Sequence, residues 1–395
     1  MLFFEYDKEP TSIERLGYDP EKIIQKIEET VNYLKDRIKI AAEIERVHEF
    51  KNDIKPSSIY CTLNITFTSD VTKLSGTMQV LIPEIRGFTV IKGIKRFVQN
   101  QIRDLLFYMI KNKSCKLICE YPSMSMYFTK DSPVFSIEGN PTYAIPLYFA
   151  IATETENGVD LSRLEKIEGI EESVEQVMQI TKKDDYFKLM SQVRNTSINR
   201  SKYVYELLQA MYATSPLLKE NFTDAGDIVL SMMEKAQEPD DENGKKIGLN
   251  LTSRRVRTVQ EIVTYNLTWE IITKVLYNRH IISKQRRDLN CTIDPFRGIY
   301  DFVLTETMFN SPLVNVSNKF RVVLTGQGGF NKDNVPLAIK DIHPTQFRNI
   351  CPIVTPDREK AGIVLYLAYS SQIDEFGRFT ITPLKGSETL ENIDH

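Results

Sequence analysis

Three X-Pro pairs, His343-Pro344, Cys351-Pro352 and Thr355-Pro356, fall within fourteen residues and constrain this chain more than any other feature. Each proline fixes its own φ and biases the residue before it away from the helical region. Residues 341–368, DIHPTQFRNICPIVTPDREKAGIVLYLA, are therefore predicted to follow an ordered, extended path that is not a helix, with an apolar run directly after it. A rigid irregular segment studded with His, Cys, Lys and Arg needs a job, and the surrounding sequence has to supply it.

With 395 residues, one large domain or two to three ordinary ones are expected, and length is ample for a buried core. Hydrophobic residues at 42% and charged residues at 26% describe a globular chain. The net charge of −3 does not by itself mark a nucleic-acid binder, so any such role must come from local patches. Five cysteines, an odd number in mostly apolar contexts, point to reduced thiols in a cytosol-like compartment. No N-terminal signal pattern is visible. The longest apolar run, residues 144–152, is too short to span a bilayer and contains Pro146.

Apolar residues at Ile24, Ile27, Val31, Leu34, Ile38 and Ala41 predict a helix over about 19–50 that packs on its own domain. Strict alternation then places Cys61, Leu63, Ile65 and Phe67 on the inner face of a strand. Short strands separated by Gly87 and Gly93 come next, and a β-rich patch is expected over 115–153. From 154 to 236 the pattern is helical. Residues 237–246, QEPDDENGKK, read as a mobile acidic loop. Between Arg254 and Arg287 stand eight Lys or Arg residues against two acids, Glu261 and Glu270, and the last hundred residues return to short strands and loops.

Candidate chemistry within the chain is thin. Cys351 and His343 are weighed as packing residues over a nucleophile and its base, since sequence proximity does not establish contact. Cys115-x3-Cys119 lacks a second ligand pair for structural zinc. TGQGGF (325–330) has no following Gly-Lys-Ser/Thr and reads as a loop more than as a phosphate cradle. Asp240, Asp241 and Glu242 read as solvated carboxylates. The basic residues weigh more. Arg254, Arg255 and Arg257 stand at one helix entrance, with Lys284, Arg286 and Arg287 further on. Lys319, Arg321, Lys332 and Lys340 flank the loop that holds Gly326, Gly328 and Gly329, which makes phosphate contacts a serious alternative to plain surface charge.

Residues 341–368 resemble the fork region of the β subunit of multisubunit DNA-directed RNA polymerases, and four more segments match in order. LTETMFNSPLVNVSNKFRVVLTGQGGF (304–330) is similar to the rifamycin-pocket segment and fork loop. YSSQIDEFGRFTITPLK (369–385) is similar to the family's segment on the C-terminal side of the fork. LTSRRVRTVQEIVTYNLTWEI (251–271) and IPEIRGFTVIKGIKRFVQNQI (82–102), with Gly93, Arg96 and Gln101, resemble protrusion segments. Where the family has Glu before the Thr-Pro, this chain has Val354. The family's Gly and Asn after it appear as Arg358 and Lys360. An acidic residue that pockets a non-template guanine in some members is matched by Leu249.

The resemblance implies an α+β, multidomain fold: N-terminal segment and first protrusion part over 1–153, a shortened lobe over 154–250, the second protrusion part over 251–303, and the fork and rifamycin-pocket-like region over 304–395. It also implies the N-terminal piece of a split β subunit, as in giant bacteriophages, working in the cytoplasm of the infected host. The expected partners are a β C-terminal fragment, β′-like fragments, DNA template, RNA transcript and a promoter-specificity subunit, with no membrane. No cofactor is expected on this chain. Mg2+ would be held by an Asp triad on a partner, where it activates the RNA 3′ hydroxyl. Matching places Arg254 and Arg255 near the non-template strand, Lys319 and Arg321 near nascent RNA, and Lys332 in the strand-separating loop 327–336; Arg257 and Lys340 join them as expected nucleic-acid-binding residues. Asp341, His343, Pro344, Cys351, Pro352, Thr355 and Pro356 would form a rigid bracket behind them. The rival readings are a nucleic-acid-binding or structural protein that kept a polymerase-derived fold without polymerase assembly, and a stand-alone Cys-dependent enzyme.

Overall fold

The computed structural model describes residues 16–380, apart from 48–58, 70–73, 86–88, 92–93, 111–112, 130–131, 156–157, 181, 194–195, 239–248, 282–287, 297–303, 308–318, 327–328, 331–334, 355 and 357–359. The first helix, α1 (Pro20–Ile38), starts where Asp19 accepts from the Glu21 amide and Pro20 takes the first helical position. It buries Ile24, Ile27, Val31, Leu34 and Ile38, the predicted stripe. The helix does not reach residue 50. Lys39 adopts a left-handed φ of 56°, and the chain turns into β1 (Ala41–Val47). Ala41 and Ile44 prolong the helical spacing by coincidence, because an alternating strand and a three-to-four repeat share many positions over so few residues.

β2 (Ile59–Thr68) alternates as expected, with Cys61, Leu63, Ile65 and Phe67 all buried. It pairs with β1 and with β3 (Ser75–Pro83) in one antiparallel sheet. β4 (Thr89–Ile91) and β5 (Ile94–Val98) form a small hairpin, and β6 (Asn100–Asp104) leads to β7 (Leu106–Ile110). β7, β8 (Ser114–Ile118), β9 (Met124–Phe128), β10 (Pro133–Ile137) and β11 (Asn140–Tyr143) make a five-stranded antiparallel meander. The β-rich expectation to 153 then fails, because residues 144–152 form α2 (Ala144–Ala152), buried at every position. A short run apolar on all sides carries no period, so helix and strand cannot be told apart locally. Pro146 is accommodated because it lies in the first turn.

The helical stretch continues as α3 (Leu161–Leu164), α4 (Glu171–Met178), α5 (Lys183–Ser191), α6 (Ile198–Thr214), α7 (Pro216–Asn221) and α8 (Ala225–Gln237). The acidic loop lies outside the described residues from 239 to 248. Arg254, Arg255 and Arg257 lie in a strand, β12 (Arg254–Arg257), directly before α9 (Val259–His280), which Thr258 caps. β13 (Cys291–Ile293) joins the first sheet parallel to β3. β14 (Leu304–Thr307) pairs with β5. β15 (Arg321–Val323) and β16 (Val364–Tyr366) complete a sheet of order β12-β6-β15-β16, whose strands come from four distant parts of the chain.

The mixed α+β expectation holds. One large apolar cluster spans Ile23 to Phe296, and a second, of ten buried apolar residues including Ile102, Val256, Val322 and Leu367, lies beneath the four-segment sheet. All five cysteines are free thiols. Among the described residues, no helix is long and apolar enough to cross a membrane.

Candidate nucleic-acid interface and its buried charge network

The residues singled out in the sequence converge on the β12-β6-β15-β16 sheet and the bracket behind it. Side chains alternate along β12, so Val256 enters the smaller core while Arg255 and Arg257 share the opposite face. Arg255 sits directly across from Arg103 of β6. Two guanidinium groups facing each other in an interior require carboxylates nearby. Glu261, on the first turn of α9, supplies one, gripping Arg255 with both oxygens at 2.7 and 2.6 Å. Arg257 reaches the same carboxylate at 3.7 Å and donates to the Glu120 carbonyl at 3.0 Å. Glu120 accepts from the Ser215 hydroxyl and from the Leu217 amide, which ties the network to the start of α7.

This geometry corrects part of the expected phosphate surface. Arg255 is 1% exposed, Arg257 3% and Arg321 5%, so all three are interior side chains. Burial, with Arg257 and Arg255 adding to it, brings Arg103 down to about 9. Burial also lowers Arg257, more than Glu261 restores. For Arg255 burial opposes the charge, but Glu261 outweighs it and holds the guanidinium above its ordinary value. Arg254 lies on the other face, paired to Asp104 at 2.7 Å with its guanidinium 5.4 Å from the centre of the Phe330 ring. Lys319 is exposed and Lys340 half-buried, while Lys332 lies outside the described residues.

The glycine-rich loop closes on itself. Phe330 donates to the Leu324 carbonyl at 3.0 Å and Gly329 to Gly326 at 2.9 Å, so these two amides do not point at a ligand. A Cβ at Gly329 would stand 2.4 Å from the Leu324 oxygen, and Gly326 takes a φ of 116°. Both positions therefore need glycine. Gln101 of β6 reaches the Thr325 carbonyl at 3.1 Å and anchors the loop to the sheet. Gly328 lies outside the described residues.

Behind the sheet, the described residues of 341–368 contain no α-helix, as the prolines predict, but they do contain a 3-10 turn, Pro344–Gln346. His343 caps that turn through Nδ1, which accepts from the Thr345 amide at 3.3 Å and meets the Thr345 hydroxyl at 2.8 Å. That ring edge serves its own turn, not the thiol of Cys351. The same Thr345 hydroxyl accepts from the Leu251 amide, and Gln346 donates to the Leu249 carbonyl, so the bracket is tied to the segment entering β12. Leu249 is itself buried in the smaller core. Cys351 donates its amide to Tyr366 and Ala368 donates to Asn349, which join the bracket to β16. Asp341, Pro344 and Pro352 are exposed and Pro356 half-buried, while Thr355 lies outside the described residues.

Other candidates resolve as interior packing. Burial pushes the Cys115 and Cys119 thiols up to about 12. Among the described residues no group of three or more His, Cys, Asp or Glu side chains is arranged around a cation position. Glu261, Glu120 and Arg103 were not singled out from sequence. Glu261 had a readable signal, because Thr258-x-x-Glu261 is a capping pattern. Glu120 and Arg103 had none, since their partners stand 97 and 16 positions away.

A family model described as RNA polymerase Rpb2, domain 3, matches residues 309–373. A DNA-directed RNA polymerase subunit beta from Mesoplasma florum is 30% identical over 146 residues, covering 34% of this chain and 11% of that protein. The corresponding proteins of Heterosigma akashiwo and Bifidobacterium adolescentis are 33% and 34% identical over 147 and 134 residues. Each match again covers 34% of this chain, and 13% and 10% of the relative. The chain thus spans only about a tenth of the length of these relatives, and it shares with them an RNA polymerase β-subunit region.

Proposed function

We propose that this chain is the N-terminal part of a split RNA polymerase β subunit, of the kind found in giant bacteriophages, working in the cytoplasm of an infected bacterium. It forms one wall of the DNA cleft and the downstream fork. The carrying observation is that, within the stretch matched to Rpb2 domain 3, the described residues of 341–354 form an irregular bracket, tied by hydrogen bonds to the segment that enters the sheet gathering four chain segments. A wall beside a reaction centre must hold its shape when its neighbours move, and polar ties within the chain provide that.

In this reading Lys319, Lys340 and Lys332 contact phosphates. Arg254, oriented by Asp104 and Phe330, stands at the edge of the strand-separating loop. Arg255, Arg257 and Arg321 act from inside, as positioning residues for the sheet that presents the others. The described residues offer no carboxylate cluster with the chemistry of a Mg2+ site. In this reading the metal-binding Asp triad belongs to a β′-like partner. A β C-terminal fragment and a promoter-specificity subunit complete the assembly.

The test is nucleotide incorporation on a DNA template, with this chain alone and after co-expression with the other large polymerase chains of the same genome. Incorporation should require the partners. RNA extension by the pure isolated chain, or an active assembly that forms without it, would overturn the proposal.

A further inference from the structure

A cavity of about 480 Å3 opens between α1, α9, the start of α7 and the turn at 373–377, a volume within the range of small-molecule sites. Lys22 and Lys26, one helical turn apart on α1, line one side, and the turn that carries Glu375 and Phe376 lines another. Lys22 and Glu375 are exposed and mark the mouth, whereas Arg255 and Tyr265 are buried and mark the floor. Most polar groups here are already engaged. Arg255 is held by Glu261 and donates to the Phe376 carbonyl at 3.2 Å. Glu120 accepts from Ser215 and Leu217, and Asp374 accepts from Arg378 at 2.6 Å. Lys26 meets Glu29 at 3.0 Å, but the Glu29 side chain is 66% exposed, and a surface pair of this kind holds weakly. Two groups remain. Lys22 has no ion-pair partner among the described residues. Tyr265 is 8% exposed, yet among the described residues nothing hydrogen-bonds its hydroxyl, although buried hydroxyls are normally paired. Burial holds Tyr265 well above its ordinary value, so the hydroxyl keeps its proton and can donate it to an acceptor.

We propose that this cavity binds a small organic anion, with a phosphate or carboxylate head held by Lys22 and Lys26 and a planar body whose acceptor oxygen meets the Tyr265 hydroxyl. The head stays at the mouth, because Glu120 and Glu261 repel negative charge from the floor and Arg255 is already neutralised by Glu261. Glu375 opposes the head from the far rim, but it is exposed, and solvent weakens its repulsion. The two lysines disfavour a cation at the same place. A flat body suits the aromatic lining, since Tyr265 and Phe376 both face the space and the Tyr265 ring is fixed edge-on against Tyr121 at 5.0 Å. Such a site needs no nucleic acid and no partner chain, so it stands whether or not the polymerase reading does.

The experiment is titration calorimetry on the full chain with 4-nitrophenyl phosphate, 4-nitrobenzoate and the neutral 4-nitrobenzyl alcohol. The three share a planar body with acceptor oxygens and differ in the head. At least one anion should bind with a dissociation constant below about 1 mM, and the alcohol about tenfold more weakly or worse. Binding of one anion and not the other identifies the head. The double variant Lys22→Gln, Lys26→Gln should weaken anion binding by about tenfold or more, while Glu375→Gln should tighten it. Tyr265→Phe keeps the ring against Tyr121 and should weaken binding by about threefold or more. Its thermal midpoint should not fall, because no hydrogen bond within the chain is lost. Failure of both anions to bind, equal binding of the alcohol, or binding indifferent to the lysine and Tyr265 variants would overturn the proposal.

Discussion

Between Ile23 and Phe296, two sheets and a set of helices enclose an apolar cluster in which most side chains are almost completely hidden. The region around the β12-β6-β15-β16 sheet is built by other means. Among the described residues its cluster holds ten buried apolar side chains, and six large ones between 337 and 369 are exposed. Removal of apolar surface from water stabilises the first region. The second relies on prolines that limit the unfolded chain, on hydrogen bonds from Gln346, Asn349 and Gln101, and on one that the Thr345 hydroxyl accepts from Leu251, which together fix an irregular path. A region held this way keeps its shape with little burial of its own. The two regions meet at Arg255, whose strand belongs to the β12-β6-β15-β16 sheet and whose carboxylate partner belongs to α9 of the larger core.

The largest effect should come from breaking that seam. Glu261→Ala leaves Arg255 buried without its bidentate partner and should cost about 3–5 kcal/mol in urea unfolding. Replacing the pair together, Arg255→Met with Glu261→Leu, should recover most of the loss, since no charge is then stranded. Equal damage in the single and double variants would mean that packing volume, not charge, joins the regions.

Matched truncations sharpen the contrast next. Leu63→Ala and Leu324→Ala remove the same atoms from positions that are both 0% exposed, one in each cluster. Both fall in the range of about 2–5 kcal/mol for such changes, with Leu63 at the upper end because its dense surroundings relax least. Hydrogen exchange should accelerate throughout β1–β3 in the first variant, and only in β15 and β16 in the second. Identical global exchange in both would show one cooperative unit instead of two regions.

Gly377→Ala probes the tie between the C-terminal segment around 377 and β12 with a smaller expected effect. Gly377 has a φ of 79°, and an added Cβ would stand 2.0 Å from the Val256 carbonyl. The backbone must shift, at a cost of more than about 1 kcal/mol by thermal unfolding. Gly139→Ala, at a φ of 74° with nothing within 4 Å, should cost less.

The smallest effect concerns pH and belongs to the rim of the large region. Burial works against the charge of Glu154, yet Lys183, Tyr205 and Arg37 together hold its pKa at about 2, from an ordinary 4.5. A carboxyl depressed on folding contributes stability that is fully present above its unfolded pKa. That contribution is lost as pH falls from about 4.5 towards 2. Because its side chain is 37% exposed, solvent screening limits the amount to less than about 1 kcal/mol. Glu154→Gln should flatten stability across this window, and an unchanged acid-unfolding profile would discount the cluster.

Sequence by itself determined whatever rests on local physics. Proline geometry excluded an α-helix over 341–368, and strict alternation placed Cys61, Leu63, Ile65 and Phe67 inside. The stripe on α1 was legible, though its end was not, because Lys39 gives no advance sign of a left-handed cap. That segments 100–104, 254–257, 321–323 and 364–366 share one sheet was not legible, because the sequence alone places the first two apart from the last two. Only the tertiary structure decided how deeply each of their charges lies and what it meets. Arg254 and Arg255 are adjacent in sequence and equally basic, yet strand alternation turns them to opposite faces. Arg254 pairs with Asp104 and keeps 12% of its side chain exposed, while Glu261 and Arg103, brought in by α9 and β6, enclose Arg255 almost completely. Burial is a property of the partners a residue meets, and those of Arg255 come from helix and sheet elements whose pairing no local pattern encodes.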